Sequence, residues 1–151
     1  MDATLANIAR AKVEAYDFQA DYRWNSADHG VFEFYWIGTW QPHFERQTLA
    51  TSPLLDSAGY SGGPLKWRAN GGMNWNRGPW RMGWNTQLYD SRFIYSAGSA
   101  DSTIASAVRL QGHRKVPRQI YHDLFAGYRF ADGAGSVQRW WSGAELLVGI
   151  R

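Results

Sequence analysis

Residues 65–88 alternate with a period of two for long enough to dictate a β fold. From Leu65 to Asn76 the odd positions are Leu65, Trp67, Ala69, Gly71, Met73 and Trp75. The even positions are Lys66, Arg68, Asn70, Gly72, Asn74 and Asn76. Only an extended strand sends successive side chains to opposite sides, so this run is a strand longer than the usual ~5–6 residues. Asn76-Arg77-Gly78-Pro79 carries turn chemistry. The alternation then restarts in phase: Trp80, Met82, Trp84, Thr86 and Leu88 on one side, Arg81, Gly83, Asn85 and Gln87 on the other. Two long strands around a short turn predict a β-hairpin with one ring-rich face and one Arg/Asn/Gln face.

The same grammar recurs along the chain. Val31–Gln41 sets Phe32, Phe34, Trp36, Gly38 and Trp40 against Glu33, Tyr35, Ile37, Thr39 and Gln41. Gln119–Phe130 sets Ile120, Leu124, Ala126, Tyr128 and Phe130 against Asp123, Gly127 and Arg129, with His122 and Phe125 breaking the rule. Ala144–Ile150 sets Leu146, Val148 and Ile150 against Glu145, Gly149 and Arg151. In Ile8–Trp24 the parity slips once. Ala9, Ala11 and Val13 give way to Tyr16, Phe18, Ala20 and Tyr22, which predicts a β-bulge near Glu14–Tyr16. The expected fold is all-β: an antiparallel up-and-down meander of about six long strands. Its connections alternate short and long: a link at 25–30, a long one at about 49–64, the turn at 76–79, a long one at about 96–117 and a link at 131–143. No stretch of useful length shows helical periodicity.

Composition narrows what such a sheet is for. The chain has 151 residues, a net charge of +3 and no cysteine. Disulfides, thiolate metal sites and cysteine nucleophiles are therefore excluded. The basic residues are dispersed, so no nucleic-acid partner is expected. Nine tryptophans is an unusual load, suited to membrane–water interfaces or to sugar-binding clefts. No run nears the ~18 apolar residues of a membrane helix. The N-terminus lacks the apolar core of a signal peptide. A mean hydropathy of −0.48 still admits a transmembrane barrel, whose strands alternate lipid-facing and lumen-facing residues.

Gly59-Tyr60-Ser61-Gly62-Gly63-Pro64 is similar to the nucleophile loop of trypsin-like proteases. Tyr60 stands where that motif has its acid, neither His29 nor His43 has the matching context, and the chain is too short for two consecutive barrels. The expected role is a turn ahead of a strand. No catalytic residue is expected. His29, His43, His113 and His122 share no ligand spacing, so no metal or other cofactor is expected. Gly133-Ala134-Gly135 reads as a turn rather than a phosphate loop. The basic stretch Arg109–Arg118 reads as a solvated loop, with lipid phosphates as its alternative partner.

The apolar rows leave two ways to bury them. A soluble sandwich would pair two such faces over a core of ~10 Å and could bind carbohydrate on exposed tryptophans. A membrane barrel would turn them to lipid, with Trp24, Trp40, Trp75, Trp80, Trp140 and Trp141 near strand ends as an interfacial girdle. A small hydrolase built on Ser61 is the third reading. "VPRQIYHDLFAGYRF" followed by "GAELLVGIR" resembles the C-terminal barrel segment of TonB-dependent outer-membrane receptors. "VEAYDFQADYRW" resembles an earlier strand of that family, and the hairpins between fit its order, so the resemblance runs from about Ile8 to Arg151.

The resemblance implies a section of a barrel of about 22 strands, closed and plugged elsewhere, importing a siderophore, vitamin or saccharide with energy from TonB. The chain carries no plug, TonB box or closing strand ending in Phe, so it is expected to be a piece of such a receptor in the outer membrane. Its expected partners are lipid and lipopolysaccharide, the rest of the barrel and the plug, with TonB reached only through the plug. Glu33, Arg68, Asn70, Asn74, Arg81, Asn85, Gln87, Asp123, Arg129 and Glu145 would face the lumen, against plug or solute. Phe34, Trp36, Trp40, Trp67, Trp75, Trp80, Trp84, Leu124, Tyr128 and Leu146 would face lipid or its girdle.

Overall fold

A computed structural model describes residues 10–47 and 51–129. Five long strands carry the chain: β1 (Arg10–Ser26), β2 (Gly30–Gln47), β4 (Trp67–Arg77), β5 (Trp80–Tyr89) and β8 (Gln119–Tyr128). Three two-residue strands, β3 (Leu55–Asp56), β6 (Arg92–Phe93) and β7 (Lys115–Val116), and one helix, α1 (Asp101–Gln111), lie in the long connections. The large sheet has the order β1-β2-β4-β5-β8, with β3 paired to β2, and β6 and β7 form a separate ribbon. Each long strand is thus bonded to the long strand next to it in sequence. The fold is all-β and antiparallel in a meander, as the alternation predicts.

Facing residues reveal the pairing. Across β1 and β2, Tyr16 stacks on Trp40, Phe18 meets Trp36, Tyr22 stacks on Phe34 and Trp24 on Phe32. Numbers rise on one strand as they fall on the other, which only an antiparallel ladder gives. The run continues with Trp40 on Trp67 and Phe32 near Trp75 between β2 and β4. Between β5 and β8, Trp80 meets Tyr128 edge-on and Trp84 stacks on His122. Such cross-strand ring pairs contribute about 0.2–1 kcal/mol each.

Chain contacts divide the molecule into two compact units. The first holds Met1–Asp17, Thr39–Arg68 and Tyr89–Arg118, and so contains both long connections. The second holds Phe18–Gly38, Ala69–Leu88 and Gln119–Arg151, and contains both tight turns of the described sheet.

In the first unit, β3 pairs with the end of β2 at Glu45↔Asp56 and Arg46↔Leu55, and β6 pairs with β7 at Arg92↔Val116 and Phe93↔Lys115. Ser57 and Ala58 lie here. Glycines aside, they are the only buried residues among those described. The expected loop at 96–117 instead contains α1, which corrects the expectation of no helix. Its half-buried positions, Ile104, Ala107 and Val108, make a short stripe, and the exposed Leu110 lies off it, so helical periodicity is faint. Its end signals were present: Asp101 in the first turn, Arg109 in the last, and Gly112 left-handed at φ 77° with its N–H on the Val108 carbonyl.

In the second unit, side chains lie flat across neighbouring strands wherever a glycine leaves room. A Cβ at Gly72 would stand 2.8 Å from the ring and hydroxyl of Tyr35, and one at Gly71 would stand 3.1 Å from Trp36. Gly83 lies under Phe125, so closely that a side chain there would overlap the ring. This explains why Phe125 breaks the alternation: it sits on the polar side, over a glycine, with the Arg81 guanidinium 5.5 Å from its centroid. His122 shares the ring-side parity of Ile120 and Leu124, and there it stacks on Trp84.

β1 runs as one strand through Glu14–Tyr16, where the slip is predicted, and ring pairing there gives way to charge. Tyr16 stacks on Trp40, and upstream Lys12 pairs with Glu14 at 3.0 Å. The expected strand at Ala144–Ile150 lies outside the described residues.

Gly83→Val is expected to destabilise the sheet by about 1–3 kcal/mol, the usual cost of overpacking. Denaturant unfolding measures it. In a Phe125→Ala background much of that cost should vanish, because the closest clash is with this ring and only the lesser one, with the Asn74 amide, remains.

Candidate functional site: the two faces of the sheet and the glycine loop

Strand alternation divides the described residues between a ring side and a polar side of the sheet. On the ring side, Phe34, Trp36, Trp40, Trp67, Trp80, Trp84 and Leu124 are exposed. Trp75 and Tyr128 are half-buried. The exposure is substantial even in mid-strand: Trp36 retains 42% of its surface and Tyr22 65%. Rings therefore cover one another, mostly by stacking across strands. Trp75 closes the tight-turn end by donating its Nε1 hydrogen to the His29 carbonyl at 2.7 Å. A shallow hollow lined by Trp75, Trp80 and Met82 opens beside the β4–β5 turn. Trp24, Trp75 and Trp80 stand near strand ends, as expected. Trp40 does not, because β2 runs on to Gln47. Trp140, Trp141 and Leu146 lie outside the described residues.

The polar side of the second unit carries a chain of hydrogen bonds across three strands. Tyr35 on β2 passes over Gly72 of β4 and donates its hydroxyl to Asn85 Oδ1 on β5 at 2.6 Å. Asn85 Nδ2 donates in turn to Asp123 Oδ2 on β8 at 3.2 Å. Asn74 lies beside Gly83 on the same side, and Glu33 pairs with Arg23 at 3.5 Å. Asp21, Arg23, Glu33, Tyr35 and Asn74 share one open hollow. The structure thus brings together Glu33, Asn74, Arg81, Asn85 and Asp123 among the predicted lumen set. Arg68 and Asn70 are exposed on β4, in different units, and Gln87 is half-buried on β5. Arg129 donates its backbone N–H to the Pro79 carbonyl at 2.8 Å. Glu145 lies outside the described residues. Tyr35, Arg23 and Asp21 were not singled out from the sequence. The signal existed, since all three share the polar parity of β1 and β2, but a tyrosine beside tryptophans reads as apolar.

In the first unit the polar parity continues with Thr39, which donates to Asp17 Oδ1 at 2.7 Å. Beyond it, Asp56 fastens the 51–64 connection to the end of β2. Its Oδ1 accepts the Phe44 and Ala58 amides, both at 3.0 Å, and its Oδ2 meets His43 Nδ1 at 2.9 Å. Partial burial pushes the Asp56 carboxyl up, but the two amides and His43 outweigh that and hold it below the usual aspartate value.

The glycine loop answers its resemblance to a nucleophile loop with backbone geometry. Gly59 and Gly62 take positive φ, 78° and 80°, which side chains disfavour. A Cβ at Gly63 would run into the Ser57 carbonyl. Ser61 donates its N–H to the Tyr95 carbonyl at 3.1 Å, Tyr60 stacks on Phe93 at 4.7 Å, His43 is bonded to Asp56, and His29 to Ser26 at 3.1 Å. Neither histidine bonds Ser61.

Among the described residues, no group of three or more His, Cys, Asp or Glu side chains could hold a metal ion, and no helix is long and apolar enough to cross a membrane. Comparison with protein-family models, with curated proteins and with solved structures returned no match.

Asp56→Ala is expected to cost about 1–2 kcal/mol, because two amides lose their acceptor. The effect is pH-dependent with a fixed sign. A carboxyl held below its unfolded value, about 3.9, stabilises the fold above that pH, and the benefit is lost as pH falls through the folded-state value. Melting curves of wild type and Asp56→Ala should therefore differ at neutral pH and converge in acid.

Proposed function

We propose that this chain is a section of the wall of an outer-membrane β-barrel of the TonB-dependent receptor kind, taking part in energised uptake of a scarce solute. The observation that carries the reading is the pair of unlike faces. Rings, most of them exposed, line one side of β1, β2 and β4 and of β5 and β8, and a hydrogen-bonded polar side lies opposite. In water the first face would be a liability, since contiguous exposed apolar patches this broad mark surfaces awaiting a partner. Hydrocarbon is a partner that needs no shape match.

Strand length supports the same reading. Every long strand has 10 residues or more, and a tilted strand needs ~9–11 to cross a bilayer. The backbone groups inside the sheet are satisfied by neighbouring strands, as lipid demands. Tight and long connections alternate along the meander, as periplasmic turns and outer loops do in such barrels. The polar face would line the interior, with Tyr35, Asn85 and Asp123 bracing the wall. This is a structural and transport role rather than an enzymatic one.

Trp84 and Gln87 lie on opposite faces of β5 and give a paired test. In the intact barrel folded in lipid vesicles, Trp84→Arg should lower unfolding free energy by about 2–4 kcal/mol, the scale for arginine facing mid-bilayer. Gln87→Arg, on the polar side of the same strand, should cost clearly less than Trp84→Arg. Equal costs at the two sites, or a monodisperse folded chain in water without detergent, would favour a soluble sheet instead.

A further inference from the structure

Three cations reach the glycine loop from three separate elements. Arg46 comes from the end of β2, and its Nη2 would lie 3.9 Å from a methyl group at Gly62. Lys66 comes from the link into β4, and its side chain passes 3.4 Å from a Cβ position at Gly59. Lys115 comes from β7 and holds its ammonium 4.4 Å over the Phe93 ring, on which Tyr60 stacks. All three side chains are exposed. Among the described residues none of them forms an ion pair, while Asp56 and Asp90 are already engaged by His43 and Arg118.

The scaffold beneath them is stiff. Within the loop, Gly59 donates to the Pro64 carbonyl, Tyr60 to Ser57, Ser61 to Tyr95 and Gly63 to Tyr60, at 2.8–3.1 Å. Phe93 donates to the Gly59 carbonyl at 2.8 Å. The loop rests on Ser57 and Ala58. Like charges brought to one loop repel, and no ion pair among the described residues engages these three. Charges carried on an already ordered loop lose little freedom when a ligand arrives. The backbone amides are mostly used up, so the side chains carry the attraction.

We propose that this loop, with Arg46, Lys66 and Lys115, is a binding site for a multivalent anion bearing phosphate or carboxylate groups. The inference rests on the reading above for taking the anion as the transported solute, and not for binding itself. It narrows that solute to a negatively charged one.

Inorganic pyrophosphate titrated into the whole chain tests it, with backbone 1H–15N shifts as the readout. Saturable shifts at Gly59, Tyr60 and Gly62 are expected, and at least tenfold weaker binding in both Arg46→Gln and Lys66→Gln. Arg109→Gln removes the same charge from exposed α1 and should leave the affinity within twofold. No saturable binding, or equal weakening by all three substitutions, overturns the proposal and reduces the effect to net charge. Vesicles with and without lipopolysaccharide distinguish the source. Capture that depends on lipopolysaccharide and on Arg46 assigns the site to a lipid phosphate; pyrophosphate binding without capture assigns it to a free solute. The paired substitutions on β5 report separately on the wall reading, so the two ideas fail by different measurements.

Discussion

Ring-on-ring contact between neighbouring antiparallel strands is the interaction on which the sheet depends. In the second unit it runs through Phe18–Trp36, Tyr22–Phe34 and Trp24–Phe32–Trp75 on three strands, and through Trp84–His122 on two more. The first unit adds Tyr16–Trp40–Trp67. A slip of one residue in any strand would send its rings to the polar side, so these pairs also fix register. They do this without a core. Apart from glycines, only Ser57 and Ala58 are buried among the described residues, and both belong to a connection rather than to the sheet.

That absence shapes the polar face as well. With no buried side-chain core in the sheet among the described residues, the second unit braces itself across its own surface. Tyr35 and Phe125 lie across neighbouring strands over Gly72 and Gly83, filling space that any larger residue would occupy. The hydrogen bonds from Tyr35 through Asn85 to Asp123 then tie β2, β5 and β8 across the intervening strand. Glycine in a strand interior is weakening by itself. Here it is the condition for a ring to cross.

The connections follow a different logic. The 51–64 segment is held by one carboxylate that accepts two amides and meets a histidine. It is held as well by glycines that permit tight reversals and by a tyrosine stacked on β6. These are small, local and directional contacts. They order a loop that hydrophobic burial alone would leave loose, and they present Arg46, Lys66 and Lys115 on a fixed frame.

The period-two alternation by itself determined the strands, their antiparallel order and the parity of nearly every residue assigned to a face. A side chain's side in a strand is set by its own position in the chain. Tertiary structure alone decided which positions meet. The sequence could not show that Phe125 would lie over Gly83, that His122 would find Trp84, or that Tyr35 would reach Asn85 two strands away. Those outcomes depend on register between segments up to 50 residues apart. Helix α1 escaped notice for a related reason, since its largely exposed sequence leaves only a faint periodic trace of a buried face. Long-range pairing is a property of two segments together, and no single segment encodes it.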